Sequence, residues 1–196
     1  FLLFASQVSA GDGNISLRFW SQVSPFISGK AGSGPGAPDF DDALDTGFGG
    51  GAEISWRFTE RFSLHAGAGY ENYDGDTYQG ISFDDLEIVP LYGGVKFHFT
   101  SKGSKWDPYF RLDIGAAHLS SVNVSVGALR GKYWDSSWEF FVSPGAGIEY
   151  HFNRFGIFLE IKARYVKNPD PALGHPSRAD SFWTLPITLG LNFHFN

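Results

Sequence analysis

Residues 155–167 read FGIFLEIKARYVK, and their side chains sort into two sets that do not mix. Ile157, Leu159, Ile161, Ala163 and Tyr165 lie on one side of an extended chain, and Glu160, Lys162 and Arg164 on the other. A period of two marks a strand whose faces meet different surroundings. The separation recurs in 47–58, where Phe48, Ala52, Ile54, Trp56 and Phe58 oppose Glu53, Ser55 and Arg57. It recurs in 181–195, where Trp183, Leu185, Ile187, Leu189, Leu191, Phe193 and Phe195 oppose Thr184, Thr188, Asn192 and His194. Apart from Lys167 at the very end of the first, no Lys, Arg, Asp or Glu stands on the apolar side of these three segments. A cation at the bilayer midplane on a lipid-facing strand costs roughly 2–4 kcal/mol, and this avoidance is what such a penalty leaves behind.

Alternation predicts strands over roughly 15–28, 47–58, 62–74, 86–99, 108–121, 138–152, 155–167 and 181–195. Their connections alternate in length. Those at 59–61, 100–106 and 153–154 are short to moderate, whereas 29–46, 75–85, 122–137 and 168–180 are long and rich in Gly, Pro, Asp and Ser. An even number of strands with short turns on one side and long loops on the other predicts an all-β, eight-stranded, antiparallel up-and-down barrel of a bacterial outer membrane. The long loops would be extracellular and both termini periplasmic. Residues 1–10, FLLFASQVSA, read as the end of a secretory signal with a small-residue cleavage site at Val8-Ser9-Ala10, which leaves residues 11–196 as one barrel domain. The chain has no Cys, hence no disulfide framework or thiolate metal site, and its net charge of -6 argues against nucleic acid as a partner. No apolar run is long enough for a membrane helix. A soluble eight-stranded barrel would turn its apolar face inward around a ligand. The aromatic ends of the apolar faces and the charge-and-glycine composition of the other faces oppose that alternative.

A short pattern closes every second strand: EISWRF at 53–58, GVKFHF at 94–99, GIEYHF at 147–152 and GLNFHF at 190–195. In a barrel these strands all end at the same rim. Trp56, Phe58, Phe97, Phe99, Tyr150, Phe152, Phe193 and Phe195 would form an aromatic girdle at headgroup depth on the periplasmic side. Arg57, His98, His151 and His194 would point inward between them. The inward positions predict a polar lumen network of Arg18, Glu53, Arg57, Glu71, Lys96, Arg111, Asp113, Glu149, Glu160, Lys162 and Arg164. Its signs nearly cancel, as a narrow lumen requires. A tight turn at Asn153-Arg154 would set Gly147 against Glu160 and Gly145 against Lys162, and the turn at 59–61 would set Gly67 against Glu53, small residues making room for long ones.

The last strand, TLGLNFHF at 188–195, resembles the signal that the bacterial barrel assembly machinery reads, through Thr188, Gly190, Phe193 and Phe195. The segment VPLYGGVKFHFTSKGSKWDPYFRLDIGAA at 89–117 resembles small outer-membrane barrels of the OmpW and OmpX type, a superfamily that includes the OmpA barrel. The resemblance implies outer-membrane lipid, lipopolysaccharide and the assembly machinery as partners, and no cofactor. It implies passage of small hydrophobic molecules for one branch, and adhesion and defence for the other.

Three groups of residues offer candidate chemistries. His98, His151 and His194, with His65 above them, offer imidazoles suited to zinc, copper or nickel, but they come from alternate strands, and lumenal partners for carboxylates are the plainer role, so no metal is expected. His118 and Ser120 resemble the His-x-Ser of the lipid A deacylases and would face lipid, while Glu139 falls on the lumenal side by parity. The acidic loops carry Asp39, Asp41, Asp42 and Asp45, then Asp74, Asp76, Asp84 and Asp85, without the spacing of a calcium loop. The expectation is a non-enzymatic, surface-exposed structural barrel, with slow passage of a small solute as a secondary role. A lipid A-modifying enzyme and a loop-mediated adhesin are the alternatives.

Overall fold

The computed structural model describes residues 14–33, 36–172 and 179–195; the expected signal remnant at 1–10 lies outside these. In chain order, β1 (Asn14–Ser24) and β2 (Phe26–Ser28) form one stave broken at Pro25. A one-turn helix, α1 (Phe40–Ala43), sits in the connection to β3 (Gly47–Arg57) and β4 (Phe62–Tyr73). Two short strands follow, β5 (Thr77–Tyr78) and β6 (Ile81–Phe83), then β7 (Leu86–His98) and β8 (Trp106–Leu119). β9 (Val122–Val126) and β10 (Leu129–Trp134) precede β11 (Ser137–Phe152). The last two staves are β12 (Phe155–Lys162) with β13 (Arg164–Val166), and β14 (Phe182–Thr184) with β15 (Ile187–Phe195).

Each stave pairs antiparallel with its sequence neighbours, and the first meets the last from Ile15 opposite Phe195 to Val23 opposite Ile187. The result is a closed eight-stave barrel of the predicted class. Closure leaves no sheet edge to expose unpaired backbone, the condition for a sheet to cross hydrocarbon. The register follows the tight turns: across 153–154 Gly147 stands opposite Glu160 and Gly145 opposite Lys162, and across 59–61 Gly67 stands opposite Glu53.

The barrel is inside out compared with a soluble one. Phe19, Ile54, Leu64, Leu91, Phe110, Leu112, Ile157, Leu159 and Leu189 are exposed on the outer face. Arg18, Glu53, Glu71, Lys96, Arg111, Asp113, Glu160 and Arg164 are buried inside. Exposed large apolar surface together with buried charge is the informative inversion, and it sets aside the soluble ligand-binding alternative, which needs an apolar interior.

Two features of the loop end depart from the expectation of plain loops. The connections at 75–85 and 122–137 carry a second sheet in the order β10-β9-β6-β5. Its β5–β6 turn places Gln79 at φ 49° and Gly80 at φ 82°, the double positive φ of a type I′ hairpin. Beneath it lies an apolar core. Phe40, Ala43 and Leu44 of the first connection are buried against Phe26, Tyr73, Phe83, Trp134 and Phe182. Phe40 stacks on Phe26 at 5.2 Å and meets Phe182 at 4.6 Å and Trp134 at 5.4 Å between ring centroids.

Candidate functional site

The lumen is layered. Its middle layer gathers side chains from six staves. Arg111, at the centre of β8, forks to both oxygens of Glu160 at 2.8 and 2.7 Å. Its other amino group donates to Glu53 at 2.9 Å and Asp113 at 2.8 Å. Arg18 donates to Glu160 at 2.8 Å, to Glu53 at 3.2 Å and to the Tyr109 hydroxyl at 2.7 Å, and its guanidinium lies 3.5 Å from the centroid of the Phe158 ring. Lys96 donates to Glu53, and Tyr109 to Glu160. His65 shares a hydrogen bond with Asp113 at 2.7 Å. Charge-assisted bonds of this density, with both partners buried, offset the cost of taking these charges out of water.

A smaller knot lies toward the loops. Arg164 forks to both oxygens of Glu71, and the Tyr73 hydroxyl donates to Glu71 and lies 3.0 Å from the Ser24 hydroxyl. Arg164 serves Glu71, within the predicted network, and Arg57 serves Asp107 at 2.8 Å, which lies outside it. Lys162 has no carboxylate within 4.0 Å among the described residues; its ammonium instead lies 5.5 Å from the centroid of the Trp20 ring. The expected cancellation of charges therefore does not reach Lys162 as a direct pair: Gly145 opposite it makes room for the long side chain, and aromatic surface takes the charge.

The third layer opens at the rim of short turns as a cavity of about 520 Å³, lined among others by Arg57, His98, Asp107, Glu149, His151, Asn192 and His194. Three histidines at one depth do not converge as a set. His98 is held by Ser63 at 2.7 Å and Asp107 at 2.8 Å. His151 and His194 do meet, with ring centroids 4.8 Å apart, around Glu149. His194 Nε2 lies 2.9 Å and His151 Nδ1 3.6 Å from Glu149 Oε1. Asn192 donates to both Glu149 oxygens at 2.8 and 3.1 Å. They meet because the stave between them places inward-facing Gly156 at that height, in register with His151 on one side and Asn192 on the other.

Around this rim Trp56, Phe58, Phe97, Phe99, Tyr150, Phe152 and Phe195 stand exposed, and Phe193 is partly buried edge-on to Phe19 and Phe155. Thr188 points into the lumen toward Gln22, and Gly190 leaves space that the Phe158 ring fills. At the other end, His118 packs edge-on to Trp138 at 5.2 Å on the outer face. Ser120 instead accepts a bond from the Glu87 backbone at 2.9 Å, and Glu139 is buried beside Lys167. Among the described residues no hydrogen bond joins His118, Ser120 and Glu139, so base, nucleophile and acid are not assembled. In the loop sheet, the Asn123 amide at 2.8 Å and then Arg130 hold the Asp84 carboxyl below its usual range.

The predicted network leaves out Asp107, Tyr109, Phe158 and Asn192, although Asn192 stands on the polar face of the last strand. The parity of β8, β12 and β15 contains them, but β8 starts at Trp106, two residues before the predicted start, which hides Asp107, and the other three carry no charge that marks them as network members.

A sequence profile of the family described as outer membrane protein beta-barrel domain matches residues 3–195. Among curated proteins none matches the chain. Solved structures do. OprG, an outer membrane protein of Pseudomonas aeruginosa, aligns at TM-score 0.63 and 14% identity over 94% of this chain and 96% of that one. The Neisserial surface protein NspA aligns at 0.60 and 11%, over 94% and 100%. Ail, the attachment invasion locus protein of Yersinia pestis, aligns at 0.57 and 14%, over 94% and 99%. At these identities the likeness is one of fold.

Proposed function

The chain belongs to the family of outer membrane β-barrel domains, and from that premise we propose that it is a sealed, non-enzymatic barrel of the bacterial outer membrane that acts through the surface its long connections build. One observation carries the reading. The lumen is filled twice, by a buried ion network at mid-height and by an apolar core beneath the loop sheet. Filling leaves solute passage the weaker reading and makes the ordered loop sheet the feature in excess of what a membrane spacer needs. Loops that fold into a sheet with their own core are positioned to present a surface. The separated positions of His118, Ser120 and Glu139 weigh against the lipid-modifying alternative.

In this reading the long connections face outward and the termini lie on the periplasmic side. The outer face and its aromatic rim contact lipid and lipopolysaccharide, and the end of β15 is what the assembly machinery engages. Two measurements on the same protein test the proposal. Single cysteines placed at 128 and at 103 are expected to label from outside intact cells at 128 only. Purified protein in planar bilayers is expected to show no steady conductance. Labelling at 103 alone would reverse the orientation, and steady conductance would put transport first.

A further inference from the structure

The cavity at the rim of short turns holds a donor set that the proposed surface role does not use. We propose that Glu149, His151 and His194 form a binding site for a divalent transition-metal ion of the zinc or copper class. The three residues each offer one ligand atom, and these atoms lie within 4.8 Å of one another. Zinc bonds to nitrogen and oxygen run near 2.0–2.2 Å, so tetrahedral donors sit about 3.3–3.5 Å apart. His194 Nε2 and His151 Nδ1, at 2.9 and 3.6 Å from Glu149 Oε1, bracket that spacing. Small side-chain rotations place an ion among them without moving the backbone.

The surroundings are those of a built site. Gly156 is the inward residue of the stave between His151 and His194, and a Cβ there would collide with Glu149 Oε1. Its absence is what lets the carboxylate stand between the two rings. Asn192 is buried and fixes Glu149 through its amide hydrogens, while its own Oδ1 is buried with no partner. When His151 ligates through Nδ1, its Nε2 faces Asp107 Oδ2, already 3.8 Å away. A carboxylate behind a ligating imidazole is the usual second layer of a histidine metal site. The remaining coordination position opens into the cavity of about 520 Å³, which leaves room for water or an outside ligand. Two imidazoles with one carboxylate favour zinc, copper or nickel over magnesium or calcium, which take oxygen donors.

The test uses untagged full-length protein folded in detergent, titrated calorimetrically with zinc chloride and followed with cobalt(II) by its visible absorption. The expected result is one ion per barrel, with intense tetrahedral-type cobalt bands. His151→Ala and His194→Ala should each weaken zinc binding at least tenfold. Asp107→Asn should weaken it by roughly 10–100-fold through the orientation of His151. His118→Ala, on the outer face, should change nothing. Retained mobility differences between heated and unheated gel samples will show that each variant is folded. If a rim variant fails that check, the conservative His194→Gln in a folded barrel replaces it. The proposal is overturned by wild-type protein that takes up no zinc at tens of micromolar, or by uptake that the His151 and His194 variants retain in full.

Discussion

Arg111 and Lys162 are both buried cations on inward positions of the two staves that flank β11, yet they stand in opposite situations. Arg111 has five charge-assisted bonds to three carboxylates, whereas Lys162 has an aromatic ring and no acid within 4.0 Å among the described residues. Removing one partner from a buried ion network strands the others and typically costs about 3–5 kcal/mol. Arg111→Ala should therefore lower stability by about that amount, read as the shift in urea-unfolding free energy of the barrel in lipid vesicles. Lys162→Met keeps the volume beside Trp20 and removes an unpaired charge, so it should cost under about 1 kcal/mol or stabilise. The opposite ranking would show that Lys162, not Arg111, anchors the layer. At this scale the sequence identified which residues face inward and left open which residue pairs with which. Parity is a property of one strand and is legible locally, whereas Arg164 meets Glu71 across 93 residues and Arg18 meets Glu160 across 142. The Glu149 cluster was hidden for the same reason. Its donors are held on two staves by a glycine on the third, and only the register shows that the three share one height.

Strands were the most legible elements because one rule, apolar out and polar in, acted on every residue in them. Leu112 and Asp113 are adjacent in β8, and their exposures of 44% and 2% are set by that rule alone. Leu112→Arg puts a cation against hydrocarbon near mid-strand, at roughly 2–4 kcal/mol. Asp113→Asn keeps an acceptor for Arg111 and His65, and Arg111 retains Glu53 and Glu160. Refolding yield into vesicles should fall much further for Leu112→Arg. A much worse Asp113→Asn would mean that the mid-height network, rather than the lipid face, limits insertion. The loop sheet was not legible because its strands are two to six residues long and pair across separate connections. Alternation over so short a span carries little signal. The apolar core beneath it did leave a trace in the staves. Near the loop ends the alternation fails in doublets, Phe26-Ile27, Phe140-Phe141, Tyr165-Val166 and Phe182-Trp183, where one residue of each pair is buried and the other is more exposed. A strand apolar on both faces has a second hydrophobic neighbour, here the folded first connection rather than lipid.

The whole molecule joins these layers in series from the turn rim to the loops: a polar cavity, an ion network, the Arg164–Glu71 knot and an aromatic core. A small ion crossing the lumen has to pass both of the larger fillings, and they fail by different chemistry. Phe40→Ala with Trp134→Ala removes two rings that touch at the centre of the aromatic core and leaves the ion network intact. Arg111→Ala with Glu160→Ala removes a bonded pair together, so neither is left stranded, and opens the middle layer while the aromatic core stays closed. If the two barriers act in series, each double variant alone should remain as silent as wild type in planar bilayers. The quadruple variant should then conduct steadily, with a heat-modifiable gel mobility showing that the barrel is still folded. Steady current from the aromatic-core variant alone would mean that water already threads the charged layer and that the loops are the gate. Current from the charged-layer variant alone would mean that the aromatic core leaks. A silent but folded quadruple variant would place the real barrier at the Arg164–Glu71 knot, where Tyr73 and Ser24 complete the closure.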